Sequence, residues 1–264
     1  MRKFRALFAI YFQETFAYRA SMIIWIMTDI VTSITMPLVF LKASSLKGGA
    51  IEGFTGSAFV TYYLSNLLIT MFVTSHIMWD LAMEIKEGQF TQYLMRPHSI
   101  FNTMFTRNLV WRLLRTILCF PIFLFFLYMF RGHMGSTPLN LGATFWVAVV
   151  LGHLVSFCLA WALSMIALIV QEAHSIFELY YVPMLFFSGQ LFPIAMLPDW
   201  AKNLSYAFPF YYTSGFPTEI LVGRVPPDRV WPLIAGQLGW IAFALLLGQI
   251  LWNRGRKHYS AVGM

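Results

Sequence analysis

Long apolar runs separated by shorter polar stretches dominate this chain. A helix needs roughly 20 mainly apolar residues to cross about 30 Å of hydrocarbon. Segments 22–41, 57–79, 113–130, 142–170, 176–192 and 230–252 meet that requirement and predict six spans. The fourth is long enough to tilt or to project beyond the bilayer. The fifth is the least regular, because Gly189, Pro193, Pro198 and Pro209 punctuate the run around its end. Ahead of the first span, Phe4, Leu7, Phe8, Tyr11, Phe12, Thr15 and Phe16 recur at helical spacing, with Arg2, Arg5, Gln13 and Arg19 mostly off that stripe. The pattern predicts an amphipathic helix over 2–20, lying in the membrane interface.

Composition agrees. Of 264 residues 59% are hydrophobic and 11% charged, where a soluble domain carries about 25% charged residues. Too little polar side chain remains to cover a soluble surface. A soluble enzyme, a disordered chain and a disulfide-stapled secreted domain are excluded. The expected fold is an all-α integral membrane protein forming one domain over 1–264. Arg2, Lys3 and Arg5 look like the start of a signal peptide, but Glu14 and Arg19 interrupt its apolar core, so no cleaved leader is expected. Cys119 and Cys158 sit in apolar runs and read as small buried hydrophobes.

The net charge of +7 bears on orientation rather than on nucleic acid. With the N-terminus cytoplasmic, the inner segments hold Arg2, Lys3, Arg5, Arg19, Lys86, Arg96, Arg107, Arg112, Arg115, Arg254, Arg256 and Lys257. The outer ones hold Lys42, Lys47, Arg131, Lys202, Arg224 and Arg229. The inner excess predicts both termini inside. Trp79, Trp111, Trp146, Trp231 and Trp252 fall at predicted helix ends, where indole favours the interface.

Two connections carry information. In the inner one, 80–112, Glu84, Lys86 and Glu87 open a short helical stretch, with Ile85, Phe90 and Leu94 as apolar contacts and Pro97 as its stop. Such a segment could dock a cytoplasmic partner or be a solvated loop. In the outer one, 195–229, the breakers predict a span that ends early, a partial re-entrant element and a surface helix near 199–208. In the fourth span Thr144, Ala148, Gly152, Ser156, Ala160 and Ser164 recur every four residues, which permits close helix contact, read as internal to the subunit.

Asp29 and His153 are the deepest polar groups. An acid at mid-membrane costs about 2.5–3.5 kcal/mol. Asp29 fits either a structural pair with Arg115 or a role in transport, and both readings stay open. His153 reads as a satisfied core residue, while Glu172 and Glu178 sit at an inner boundary. Catalytic and metal-binding constellations are missing: there is no H-E-x-x-H, C-x-x-C or G-x-S-x-G. The run Gly48-Gly-Ala-Ile-Glu-Gly53-Phe54-Thr55 has the glycine spacing of a phosphate loop, but Phe54 stands where its lysine belongs.

Taken together, these segments resemble the membrane subunits of type-2 ATP-binding-cassette exporters, in particular small bacterial permeases without large outer domains. The likeness rests on Glu84-Ile-Lys-Glu-Gly88 with Leu94-Met-Arg-Pro97, on Phe187-Ser-Gly-Gln-Leu-Phe-Pro193 with Leu197-Pro-Asp-Trp200, on Phe208-Pro-Phe-Tyr-Tyr212 and on Pro217-Thr-Glu-Ile-Leu-Val-Gly-Arg224. It covers essentially the whole chain. It implies an interfacial helix, six transmembrane helices, a coupling helix and a broken fifth helix with outer re-entrant elements. It also implies a multi-pass protein of the inner (plasma) membrane, paired with a second permease, identical or related, and with cytoplasmic ATPase subunits. No cofactor is expected in this chain, since ATP and Mg would sit on the partner ATPase. Glu84, Ile85, Gly88, Leu94, Arg96 and Pro97 are the expected partner-coupling residues. Asp29, Arg115, His153 and Gly189 are candidates for the substrate path. No catalytic residue, metal or nucleic acid is expected. The alternative is an ion- or proton-coupled secondary transporter without an ATPase, which gains from Asp29 and His153 but lacks an inverted repeat. An intramembrane lipid enzyme would need clustered polar groups that the chain lacks.

Overall fold

The computed structural model describes residues 2–17, 19–96, 98–134, 138–170 and 173–259. Several side chains early in the second helix, Asp29 among them, lie outside that description, as do Pro97 and Glu172.

Helix α1 (Arg2–Ala17) leads to α2 (Arg19–Leu46). A hairpin follows, pairing β1 (Ala50–Ile51) antiparallel with β2 (Phe54–Thr55). Its two-residue turn has positive φ at Glu52 (46°) and Gly53 (73°), the geometry that suits the twist of paired strands. The phosphate-loop look-alike is therefore a hairpin. The Thr55 side chain then accepts a hydrogen bond from the Ala58 backbone amide and starts α3 (Gly56–Val73). After a break at Thr74–His76 come α4 (Ile77–Lys86), the short α5 (Thr91–Met95), α6 (Ile100–Phe130), α7 (Ala143–Ser164), α8 (His174–Phe187), α9 (Asp199–Ala207), α10 (Phe216–Leu221) and α11 (Pro227–Gly255).

Four helical stretches among the described residues are long and apolar enough to cross a membrane: Gly56–Lys86, Ile100–Phe130, Ala143–Leu168 and Pro227–Gly255. The chain is an all-α, multi-pass membrane protein. Two predicted boundaries need correction. The third span begins at Ile100, not residue 113, so Arg107 and Arg112 lie on a helix rather than in a loop. The predicted fifth span ends at Phe187, not residue 192; at 14 residues α8 is about 21 Å long, short of the roughly 30 Å hydrocarbon.

Helix α7 is the centre of the bundle. Ala148, Gly152, Ser156, Ala160 and Ser164 are all buried on it, so the small-residue stripe packs within the chain. A Cβ at Gly152 would collide with the Thr213 carbonyl. On α11, a Cβ at Gly248 would stand 2.9 Å from the Trp161 ring. Backbone contact this close trades glycine's entropy cost for dispersion along the whole seam.

Helix α1 does find a surface to pack on. Leu7, Phe8 and Tyr11 join the cluster of Val110 and Leu114 on α6. Phe4, Phe12 and Phe16 stay exposed, in a ladder of rings running Phe4, Phe8, Phe12 and Phe16 at 6.2, 6.5 and 6.4 Å.

Beyond α8 the chain folds back as short pieces. Gly189 takes a left-handed φ of 82°. Tyr62 and Tyr63 of α3 donate to the carbonyls of Gly189 (2.8 Å) and Leu191 (2.7 Å). A 3-10 turn (Ile194–Met196), α9, a π turn (Tyr211–Gly215) and α10 follow. Residues 211–221 are buried throughout. Irregular backbone is tolerated there because side chains satisfy it: Gln237 donates to the carbonyls of Ala148 and Tyr212, both at 2.9 Å.

Candidate functional site

The segment after α4 turns on one glycine. Gly88 has φ of 74°, a left-handed conformation that glycine adopts without a Cβ penalty, and it ends α4 sharply. Glu84 and Lys86 therefore close a helix rather than open one, correcting the expectation from sequence. Ile85 is buried on the core side, and Phe90 is wholly buried. Leu94 and Met95 are 45% and 74% exposed, and Arg96 is exposed with its guanidinium 5.8 Å from the Tyr93 ring. The expected partner-coupling residues thus divide. Ile85 and Glu84 hold the segment in place, Gly88 shapes it, and Leu94 and Arg96 face outward. Pro97 lies outside the described residues.

A charge cluster fixes this segment to its neighbours. Arg107 of α6 forms a direct ion pair with Glu84 and lies 3.7 Å from Glu14 of α1. Its guanidinium stands 5.9 Å from the Tyr11 ring. Burial, with the Glu84 charge adding to it, holds the Tyr93 hydroxyl well above the ordinary tyrosine range. Burial also raises Tyr11, against the pull of Arg107. One arginine therefore joins α1, α4 and α6, with a tyrosine from α1 and another from α5 packed around it.

The end of the chain supplies a second tie. Tyr259 packs its ring 5.4 Å from Phe90, and its hydroxyl lies 3.1 Å from Thr91 Oγ1 and 3.4 Å from the Gly88 carbonyl. Trp252 of α11 also meets Phe90, at 6.2 Å. Sequence reasoning missed this strap, since nothing local links residues about 170 positions apart.

It also missed the break between α3 and α4. Arg112 is buried and donates to the carbonyls of Met71 (3.3 Å) and Thr74. Asn108 donates to Ser75 Oγ at 2.8 Å, and the Ser75 amide donates to Ser156 Oγ at 2.9 Å. His153 Nδ1 lies 3.3 Å from the Val73 carbonyl. Where the helical ladder stops, α6 and α7 take over its orphaned groups. The polar triplet Thr74-Ser75-His76 inside an apolar run was the available signal. Of the substrate-path candidates, His153 belongs to this break. Arg115 is buried nearby, 5.0 Å from the Trp111 ring. Gly189 lies apart, in the turn after α8, and the Asp29 side chain is outside the described residues.

One buried acid was not foreseen. Glu219 on α10 accepts a hydrogen bond from Tyr211 at 2.7 Å. Burial pushes its carboxyl up to about 7, against the Tyr211 hydrogen bond and Arg224, which both lower it. Arg224 instead donates to the Gly53 carbonyl at 3.1 Å and stacks over Phe54 at 3.3 Å. A cavity of about 90 Å³ adjoins Glu219, lined also by Tyr206, Arg224 and Arg229.

Among the described residues no group of three or more His, Cys, Asp and Glu is placed to hold a metal ion. A comparison of the sequence with curated proteins returned no match. The match to ABC-2 family transporter proteins runs over residues 22–263, every helix from α3 to α11 and most of α2, and the chain belongs to that family of membrane permeases.

Proposed function

We propose that this permease is the membrane subunit of an ATP-driven exporter, with the α4–α5 segment as the seat of a separate cytoplasmic ATPase. The single observation that carries this reading is the union of an exposed tip with a fixed base. Leu94, Met95 and Arg96 offer an apolar and cationic surface. Behind it, Arg107, Glu84 and Tyr259 tie the segment to α1, α6 and the end of the chain. A push on such a tip is transmitted rather than absorbed. ATP and Mg belong to the ATPase, which must bind ATP more tightly in one permease conformation than in the other for anything to move.

In this reading both termini and the α4–α5 segment face the cytoplasm. The chain crosses the inner membrane six times, with α8 and the turn after it as a broken fifth crossing and 188–226 as outer re-entrant structure. Two permeases, identical or related, enclose the substrate path. The test is purification of the tagged protein from native membranes in mild detergent. A co-purifying ATPase stimulated by the wild type but not by E84A or G88P is the expected result. A protein that transports alone, or normal transport in both variants, would defeat the assignment.

A further inference from the structure

A cavity lies beside the α4–α5 segment, between the start of α6 and the ends of α7 and α11. It measures about 470 Å³, within the range of sites that take a drug-sized ligand. Its lining has two halves by chemistry: Arg96, His98 and Ser99 are polar, Phe101, Trp161 and Leu245 are apolar, and Gln249 and Trp252 stand on α11 as well. Among the described residues none that lines it is acidic.

The apolar half includes Leu245 of α11, a helix with exposed apolar side chains. Leu245, Leu246 and Ile250 of α11 are 40%, 62% and 41% exposed, and the helix is apolar enough to span a membrane. Helix α11 closes with exposed Arg254, and exposed Arg256 and Lys257 follow it. The cavity therefore joins a polar rim on 96–99 to an apolar wall carried by α6, α7 and α11.

We infer that this cavity binds an anionic phospholipid, its phosphate against Arg96 and His98 and the upper part of an acyl chain against Trp161 and Leu245. Charge complementarity selects an anion, since the lining offers the Arg96 guanidinium beside the His98 imidazole and no carboxylate. The apolar half selects an amphiphile, because a free phosphate ion gains nothing from it. The apolar wall is carried by α6, α7 and α11, each long and apolar enough to span a membrane. Juxtamembrane cations attract anionic lipid by about 1 kcal/mol each, or roughly five-fold in affinity. The site does not depend on the ATPase reading, although Tyr93 and Leu94 border it and so expose the α4–α5 segment to its occupant.

The test uses the full-length permease alone. Native mass spectrometry after exchange into mixed phosphatidylglycerol–phosphatidylcholine nanodiscs reads which lipid stays bound. Preferential retention of phosphatidylglycerol is expected. The charge reversal R96E should cut that preference five-fold or more. L245W, which fills the slot without touching a charge, should reduce retention of the same lipid. Matching thermal unfolding of the variants and wild type checks their fold. Equal retention of the two lipids, or full retention in both variants, overturns the site. Displacement by millimolar inorganic phosphate would assign the cationic rim to a free anion and overturn the lipid as well. Loss of the bound lipid when a co-purified ATPase is present would mark the cavity as a protein interface instead.

Discussion

Removing either side of the Glu84–Arg107 pair tests the charge cluster, and the two removals are unequal. Two unit charges about 4 Å apart at an effective dielectric of 20 attract by about 4 kcal/mol. Both side chains have left most of their water, with exposures of 16% and 19%. Stripping one partner from a fully buried pair costs about 3–5 kcal/mol, chiefly through the charge left behind. The remaining water access places R107M near the lower end, at about 3 kcal/mol. It strands Glu84, and it takes from Glu14 a cation only 3.7 Å away. E84Q is milder, at about 1–2 kcal/mol, because the amide oxygen still accepts from Arg107 and Glu14 remains beside it. The double variant should then show a coupling of about 1–2 kcal/mol. The assay is reversible denaturation of the purified permease in mixed micelles, read by circular dichroism for all four members of the cycle. Equal losses in the two single variants, or a coupling near zero, would refute the reasoning.

Three further outcomes follow from particular sites. The Glu219 carboxyl is raised by burial from 4.5 to about 7, so its contribution to stability is complete below pH 4.5 and disappears as pH rises through 7. Wild-type stability should fall across that window by at most about 3 kcal/mol, and E219Q should flatten the fall in a series of melting temperatures against pH. G189A should destabilise by about 2–4 kcal/mol in thermal unfolding, since Gly189 has positive φ and the new Cβ would stand 2.6 Å from the Tyr62 hydroxyl. Y259A removes about 1 kcal/mol of hydrogen bonding, so the amides of Phe90 and Thr91 should exchange roughly five-fold faster by mass spectrometry, with α7 unchanged.

The helices were legible where burial and periodicity point the same way. The surface helix foreseen near 199–208 is α9, Asp199–Ala207, because proline and aspartate mark its start and alternating polarity its length. The small-residue stripe of α7 was legible too, since only contact within a helix bundle uses glycine and serine at that spacing. What escaped the sequence was everything long-range. Arg107 and Arg112 scanned as loop cations because charge signals an exit from the bilayer in any local window, yet both are satisfied by groups more than 20 positions away. Glu219 sits in a run of small, aromatic and apolar residues that names no partner for it, and only the fold places the Tyr211 hydroxyl against its carboxylate. The end of α8 shifted by five residues because Gly189, not the later prolines, sets the reversal.

The break at Thr74–His76 has a mechanical consequence. A continuous helix carries compression along its backbone, so a displacement of α4 would have driven α3 like a rod. Here the ladder is interrupted, and the load leaves through side chains. Arg107 takes it from Glu84 and Arg112 from Thr74, both on the one uninterrupted helix α6. The two arginines act as pins on a single shaft, five residues and about 7.5 Å apart. Helix α6 is thus the shared seat of both ties, since Arg112 also holds the Met71 carbonyl of α3, while Tyr62, Tyr63 and Asn66 anchor α3 to 189–218.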